Sequence, residues 1–379
     1  MRKVLLVTNY FFPGKKGGGP ISSLKNLVSE SILFDANVEF EILTLGKDFG
    51  DKELYSDISF NTKILYKEIP STYLSSNLKI LQYLFRNRSF DTLHLNSLFN
   101  FWYSIIFICF VKLKFIRADK IIISPRGELS DAAMNYKYTK KFLFLKLVNF
   151  LNLYKKVKWH VTSSEEYKDV KRNFKTKQAN IYLIDNCVAP RKDLLRKTKK
   201  SNTINIVFLS RIHPKKNLMY ALSVLSHVNF PYTFDIFGPV EDKSYFDQCF
   251  SFIESFQGNS MIKYKGEVSS ENVNEILSNY DLFFFPTEGE NFGHVSFEAL
   301  MAGTPVLLSN RTPLTGLGDL NVGWDLDLSD PLEFEKKIKI IYEMDQKEMF
   351  SMQNSIEAFI KNSSFFRSKF GEYEGMYLD

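Results

Sequence analysis

The sequence has little cysteine. Its three residues, Cys109, Cys187 and Cys249, lie far apart and form no C-x-x-C pair. That argues against a disulfide framework or a structural zinc site and fits a reducing cytosol. Glycine and proline are also few, 18 and 12 in 379 residues, so a fibrous or disordered chain is excluded. No long hydrophobic run occurs. The longest, FWYSIIFICFV (101–111), is well short of the ~20 residues a membrane-crossing helix needs. The start, MRKVLLVTNYFFPG, superficially suggests a signal peptide. No small-residue cleavage site follows, and the run stops at PGKKGGGP, so it reads as a buried first strand.

What is present is the composition of a soluble globular protein, 45% hydrophobic and 24% charged. The length exceeds what one core serves, so two domains are expected. The 36 phenylalanines imply large cores or an apolar surface. The net charge of +6 conceals an imbalance: 35 basic against 18 acidic residues in 1–200, and 14 against 25 in 201–379. A basic first half suits an anionic partner, whether nucleic acid, phospholipid surface or phosphorylated substrate.

Short apolar runs suited to buried strands recur: KVLLVTN (3–9), EFEILTL (39–45), DTLHLN (91–96), KIIISPR (120–126) and KWHVTSS (158–164). After a lysine-rich break, RKDLLRKTKKSNT (191–203), they resume as INIVFLS (204–210), YTFDIFG (232–238), MIKYKGEV (261–268), LFFFPTE (282–288) and TPVLLSN (304–310). Helix-like segments lie between them, so the chain reads as two doubly wound α/β domains joined near residues 195–203. Residues 330–370 have helical period. Open α/β sheets bind ligands outside the carboxyl ends of their strands, so chemistry is sought just after each one.

Three such places carry candidates. GKKGGGP (14–20) leads into a helix, where backbone N–H groups can approach an anion; a plain flexible loop explains it equally well. SRIHPKKNL (210–218) presents Arg211, His213, Lys215 and Lys216, which suit a diphosphate or an exposed basic turn. PTEGENFGHVSFEAL (286–300) reads as a loop and then a helix starting near Phe292–Gly293 and ending at Gly303. Glu290 then sits ahead of a helix whose first amides face an anion, and Glu298 lies one to two turns in. A capping acid plus a surface glutamate would look the same.

EGENFGHVSFEALMAGTPVLLSN (288–310) resembles the E-x7-E signature of retaining family-4 glycosyltransferases with the GT-B fold. NYFFPGKKGGGPISSLKNLV looks like their N-terminal glycine loop, DTLHLNSLF like their fourth-strand region, and LSRIHPKKNL like their Arg-x4-Lys phosphate clamp. FDIFGPV and IKYKGEV are similar to the segments walling their base pocket. SPRGELS and GENFGHVSFEAL look closest to the capsule and O-antigen polysaccharide branch.

The resemblance implies an α/β GT-B protein: two Rossmann-like domains facing a central cleft, an acceptor domain at 1–198 and a nucleotide-sugar domain at 199–355. Residues 356–379 would be a helical segment packing back on the first domain. It implies that Arg211 and Lys216 neutralise the donor diphosphate. Glu290 with Asn291, Phe292, Gly293 and His294 would hold the donor sugar, and Glu298 the ribose. Gly18 and Gly19 would let the first loop close over the phosphate, with Gly238 and Lys265 at the base pocket.

It implies transfer of a sugar from a nucleotide-sugar, UDP- preferred over GDP-linked, to a glycan on a polyprenyl diphosphate at the cytoplasmic membrane face. No cofactor, metal or nucleic acid is expected. One departure stands out: where the family places a histidine near the donor sugar, this chain has Arg126. Arg cannot act as a base near pH 7, so it would bind an anionic acceptor or the diphosphate, or be structural. His94, in TLHLN, reads as half-buried. The D-x-D of Asp325–Leu326–Asp327, after the last expected strand, reads as a decoy rather than a metal site.

The segment YKYTKKFLFLKLVNFLNLYKKVKW (136–159) mixes seven lysines with apolar residues at helical spacing. Such a helix can lie on an anionic bilayer surface or pack as an ordinary amphipathic helix. Two other classes stay open: a GT-B nucleotide-sugar 2-epimerase, and a non-catalytic lipid- or nucleic-acid-binding protein.

Overall fold

A computed structural model describes residues 1–14, 19–34, 36–135, 138–188, 202–255, 261–269, 272–290 and 292–379. The chain divides into two units, Met1–Cys187 with Ser368–Asp379, and Val188–Arg367. The return to the first unit thus comes at 368, not at 356, because the helix Gln346–Asn362 belongs to the second unit. The expected 198/199 boundary lies outside the described residues.

Among the described residues, the first unit is built on an eight-stranded sheet. Its strands in chain order are β1 Arg2–Val7, β2 Val38–Leu45, β3 Lys63–Tyr66, β4 Ile69–Leu74, β5 Ser89–Leu95, β6 Arg117–Ile123, β7 Lys158–Val161 and β8 Ile181–Leu183. Their spatial order is β3-β4-β2-β1-β5-β6-β7-β8, parallel except for the β3–β4 hairpin. The first strand is central, paired with β2 on one side and β5 on the other, and Val4 to Val7 are buried. Strands covered on both faces need near-continuous apolar runs, which is why LLV and ILTL were legible. The apolar run 101–111 forms a π-helical turn, Phe101–Ile105, continuing as the helix Ile106–Lys112. Among the described residues no helix is long and apolar enough to cross a membrane.

The C-terminal helix Phe370–Leu378 packs on this sheet through Phe370, Tyr373, Met376 and Tyr377, all buried. Polar groups fasten it as well. Lys120 Nζ donates to the carbonyls of Met376 and Tyr377 at 3.0 and 3.1 Å, satisfying two of the orphan acceptors of a helix end.

The second unit has a six-stranded parallel sheet among its described residues: β9 Ile204–Leu209, β10 Tyr232–Phe237, β11 Met261–Gly266, β12 Leu282–Phe285, β13 Val306–Ser309 and β14 Gly323–Leu326. The order is β11-β10-β9-β12-β13-β14, which reverses between β10-β9 and β12 and so creates a topological switch point. Phe283, Phe284 and Phe285 of β12 are fully buried, and each contributes about 1.5–3 kcal/mol of burial. The helix Gln346–Asn362 opens on a capping box, with Asp345 accepting from Glu348 N–H and Glu348 from Asp345 N–H.

The structure adds β3, β4, β8 and β14 to the ten expected strands. Asp325 therefore does not follow the last strand: it lies in β14, and its carboxylate accepts from the N–H groups of Gly316 and Leu317. Asp327 accepts from Ser329 N–H. Both acids organise local turns.

Candidate active site

The loops after four neighbouring strands, β10, β9, β12 and β13, are tied together at the carboxyl end of the second sheet. After β9 the chain makes a 3-10 turn, Pro214–Lys216, capped by His213, whose Nδ1 accepts from Lys215 N–H. Asn217 follows in the left-handed region (φ 60°), a conformation asparagine tolerates, and the helix Leu218–Ser226 begins. This tight reversal turns Lys216 inwards, leaving it buried.

The loop after β12 is stitched to both neighbours. Glu288 N–H and Thr287 Oγ1 donate to Lys215 O at 2.8 and 3.0 Å, and Glu290 N–H donates to Arg311 O at 3.0 Å. Arg311, just past β13, also donates from its guanidinium to Glu288 Oε2. With the loop so fixed, Lys216 Nζ donates to Glu290 Oε1 in an ion pair whose side chains are 10% and 14% exposed. Burial pushes the Lys216 ammonium below its ordinary range, and the Glu290 carboxylate works against that shift.

Gly293, with φ 76°, provides the left-handed step that starts the helix His294–Met301, and Ser296 N–H closes the first turn on Gly293 O. The Glu290 Cβ and Cγ pack over this glycine. Phe292 is buried and stacks on Phe297 with ring centroids 4.6 Å apart, fixing the angle at which the helix leaves the loop. Glu298 lies half-buried on that helix. Asn291 lies outside the described residues.

Arg211, the other expected clamp cation, is more open. Its Nη1 lies 2.8 Å from Glu241 Oε2, a carboxylate carried by the loop after β10. That loop is held by Ile212 N–H donating to Pro239 O and by Glu241 N–H donating to Ile212 O. Gly238 is structural: with φ 136°, a Cβ there would stand 1.8 Å from Ser210 O. Lys265 lies 3.6 Å from Asp235, which also accepts from Tyr280 OH, so its charge is shared with the strand beside it.

The structure therefore pairs Lys216 with Glu290 beside Gly293, with Arg211 on the same loop as Lys216 and Gly238 on the adjoining loop after β10. Glu241, Glu288 and Arg311 were not singled out from the sequence. The strand-end rule that selected Arg211 applies equally to Arg311.

The remaining candidates belong to the first unit. Gly19 is the first residue of the helix Gly19–Leu33 rather than part of a loop, and Gly18 lies outside the described residues. His94 is fully buried, not half-buried. Its Nδ1 is 2.7 Å from Tyr377 OH and its Nε2 2.7 Å from Ser124 Oγ, which in turn lies 2.7 Å from His160 Nδ1. His160 Nε2 is 3.0 Å from the Ile184 carbonyl. A carbonyl only accepts, so His160 carries its proton on Nε2 and Ser124 O–H donates to Nδ1. His94 Nε2–H then donates to Ser124, and Tyr377 O–H donates to His94 Nδ1. Both histidines are held neutral: burial and the nearby Arg126 charge push His160 down to about 3, and burial with His160 and Arg126 pushes His94 well down. His94 is a fastener of the C-terminal helix. Arg126 follows β6 in the left-handed region and spans Asn96 and Asn186.

Residues 191–362 match the family described as Glycosyl transferases group 1. A curated relative, an uncharacterized 41.2 kDa protein of the Klebsiella pneumoniae cps region, is 29% identical over 112 residues. The matched stretch spans 29% of this chain and 29% of that relative's length. Among solved structures, Anabaena HepE in complex with UDP and glucose is similar with a TM-score of 0.70 at 14% identity, over 99% of both chains. A mutant of S. aureus TarM in complex with Fondaparinux, alpha-GlcNAc-glycerol and UDP has a TM-score of 0.67 at 13% identity, over 100% of both. The chain thus has the GT-B fold, and its residues 191–362 are similar to the glycosyl transferases of group 1.

Proposed function

We propose that this protein is a retaining family-4 glycosyltransferase that moves a sugar from a nucleotide-sugar, UDP- in preference to GDP-linked, to a glycan acceptor. The observation that carries the reading is the contact of Lys216 with Glu290 beside Gly293 and the helix it starts, at the switch point of the second sheet. UDP in the HepE and TarM structures supports the choice of nucleotide.

In this reading the donor diphosphate meets Lys216, Arg211 and the N–H groups opening the helix His294–Met301. Glu290 turns to the sugar hydroxyls and Glu298 to the ribose. The difficult step is loss of the diphosphate as positive charge grows on the anomeric carbon. Groups already aimed at the leaving charge contribute about 3–4 kcal/mol each in comparable sites. The acceptor hydroxyl attacks the anomeric carbon on the face from which the diphosphate leaves. The carbon–phosphate oxygen bond breaks, and the acceptor proton passes to a diphosphate oxygen. Two protein cations and the helix amides supply the charge, so the reaction needs no metal.

The Klebsiella cps-region relative supports a place in capsule or O-antigen synthesis, with a polyprenyl-diphosphate-linked acceptor. The helix Tyr138–Phe150 supports docking on the inner face of the cytoplasmic membrane: Leu143, Leu147 and Phe150 are exposed, while Leu145 and Val148 face the core. Incubation with a panel of UDP- and GDP-sugars tests the activity. Donor hydrolysis or transfer is expected. Conversion of the sugar without transfer would favour an epimerase, and no donor binding would reject the reading.

A further inference from the structure

We propose that Arg126, braced by Asn96 and Asn186, is a receptor for an oxyanion, a carboxylate or phosphate group carried by the acceptor. Assigning the anion to an acceptor rests on the glycosyltransferase reading; the anion site itself does not.

The three residues sit just past the carboxyl ends of β6, β5 and β8, where a parallel sheet presents ligands with its loops. Arg126 (φ 54°) and Gly127 (φ 76°) are consecutive left-handed residues. An arginine in that region is uncommon, and such strain persists where the surroundings hold a side chain to a task. Here the Nη1 donates to Asn186 Oδ1 at 2.7 Å and the Nη2 to Asn96 Oδ1 at 2.8 Å. Asn96 cannot turn its amide over, because its Nδ2 faces the carbonyls of Val7 and His94 at 3.4 and 3.3 Å.

Both braces are neutral, so the half-buried guanidinium keeps its full charge. Among the described residues no carboxylate pairs with it. The two carboxylates on the adjoining turns are committed elsewhere. Glu128 takes Ser97 Oγ and the N–H groups of Leu98 and Phe99, and Glu166 takes Gly127 N–H, Thr162 N–H and Thr162 Oγ1. A cation withdrawn from water without a counter-charge is costly, and a bound anion offsets that cost. Arginine has five N–H donors and the asparagines take two. The Nε–H is shielded from solvent and meets no protein acceptor. The anion is therefore met by the terminal N–H groups that the asparagines leave over, one on each nitrogen, which suit the two oxygens of a carboxylate or phosphate.

The test is thermal unfolding of the full chain titrated with inorganic phosphate, glucuronate, or neutral glucose, each against chloride at equal ionic strength. It is repeated in a Lys216→Ala background so that anions binding at the second unit are not counted. A saturable rise with phosphate or glucuronate and none with glucose is expected. Arg126→Gln should weaken it at least tenfold. Arg126→Lys, which keeps the charge but not the fork, should weaken it several-fold and carries the test if the first variant does not fold. No saturable response, or an equal one in folded variants, overturns the site. UDP affinity in Arg126→Gln within twofold of the parent assigns the anion to the acceptor. A tenfold loss would give it to the donor diphosphate and overturn that assignment. If the parent protein binds no UDP, the glycosyltransferase reading fails, while the phosphate and glucuronate titrations still decide Arg126.

Discussion

The Lys216 ammonium donates to Glu290 Oε1, so the cation and the carboxylate expected to grip a donor are partners of one another. Each neutralises a buried neighbour, and in the proposed function each has a separate task once a sugar diphosphate enters. Lys216→Ala and Glu290→Ala should each lower turnover about 100-fold, the usual effect of removing one preorganised charge. Lys216→Ala should also weaken UDP binding, whereas Glu290→Ala should act mainly on turnover. Steady-state kinetics with UDP titration checks both, with circular dichroism to show that the fold is kept. Near-parental turnover in both variants would mean the site lies elsewhere.

Glu241 makes the opposite prediction. It occupies Arg211 at 2.8 Å, and under the proposed function a donor diphosphate takes its place. An open pair of this kind is worth about 0.5–1 kcal/mol, so Glu241→Gln should tighten UDP binding roughly two- to five-fold. Calorimetric titration reads this directly. Weaker binding in the variant would show that Glu241 orients Arg211 rather than competing for it.

How much of this was legible in the sequence follows from where each signal resides. The β12 run LFFF announced itself because a parallel strand is buried on both faces. The β3–β4 hairpin did not. Its first strand, β3, is an edge strand with alternating exposure, and its turn places Lys67 and Glu68 in the left-handed region (φ 49° and 67°) without the asparagine or glycine that normally marks such a turn. β14 escaped notice because GWDL is a half-buried edge strand whose aspartate serves a neighbouring turn.

The same division holds at the site. Lys216, Glu290 and Gly293 stand in one local pattern after their strands. The pairings of Arg211 with Glu241 and of Arg311 with Glu288 join loops after different strands, and strand order is not written in either loop. His94 misled for a related reason. Alternation suggested one open face, but the helix from the far end of the chain covers that face with Tyr373 and Tyr377.

Gly238 tests the scaffold rather than the chemistry. A Cβ there would stand 1.8 Å from a backbone oxygen that cannot rotate away, and its φ of 136° already disfavours any side chain. Gly238→Ala should destabilise the second unit by about 2–4 kcal/mol. Thermal unfolding should show this as a lowered Tm for one transition, with UDP binding lost in step.

The buried chain from Tyr377 through His94 and Ser124 to His160 predicts an acid limit for the first unit. Both histidines are neutral in the fold, with their protonation held below the ordinary value near 6.5. In the unfolded chain they protonate at that ordinary value, so below it the unfolded state binds more protons. Stability is therefore full above about pH 6.5 and falls as the pH drops towards about 3, by about 1.4 kcal/mol per pH unit for each histidine that titrates. Arg126, Tyr373 and Tyr377 surround the pair, and none supplies a negative charge that would rescue the protonated form. Tyr377→Phe should cost about 1–3 kcal/mol at pH 7 by leaving His94 Nδ1 without its donor. Denaturant titrations between pH 4 and 8 check both statements, and a flat profile would remove the histidine chain from the stability of the unit.

The membrane reading turns on one helix face. Leu143, Leu147 and Phe150, spaced four and three residues apart, are 60%, 53% and 82% exposed, and Lys146 rises beside them over the Phe142 ring. An apolar ridge edged by lysine suits an anionic lipid surface, with the leucines entering the acyl boundary and the ammonium groups meeting phosphates. Replacing Leu143 and Leu147 by serine should lower pelleting with anionic vesicles at least several-fold, without loss of fold, because neither residue contributes to the core. Neutralising Lys140 and Lys141 should lower it less, since Lys141 also holds the Ala133 carbonyl at 2.7 Å. Lys137, another lysine of the same segment, lies outside the described residues. Pelleting that is insensitive to the leucines, or equal on neutral and anionic vesicles, would remove this face as the docking surface while leaving the donor site untouched.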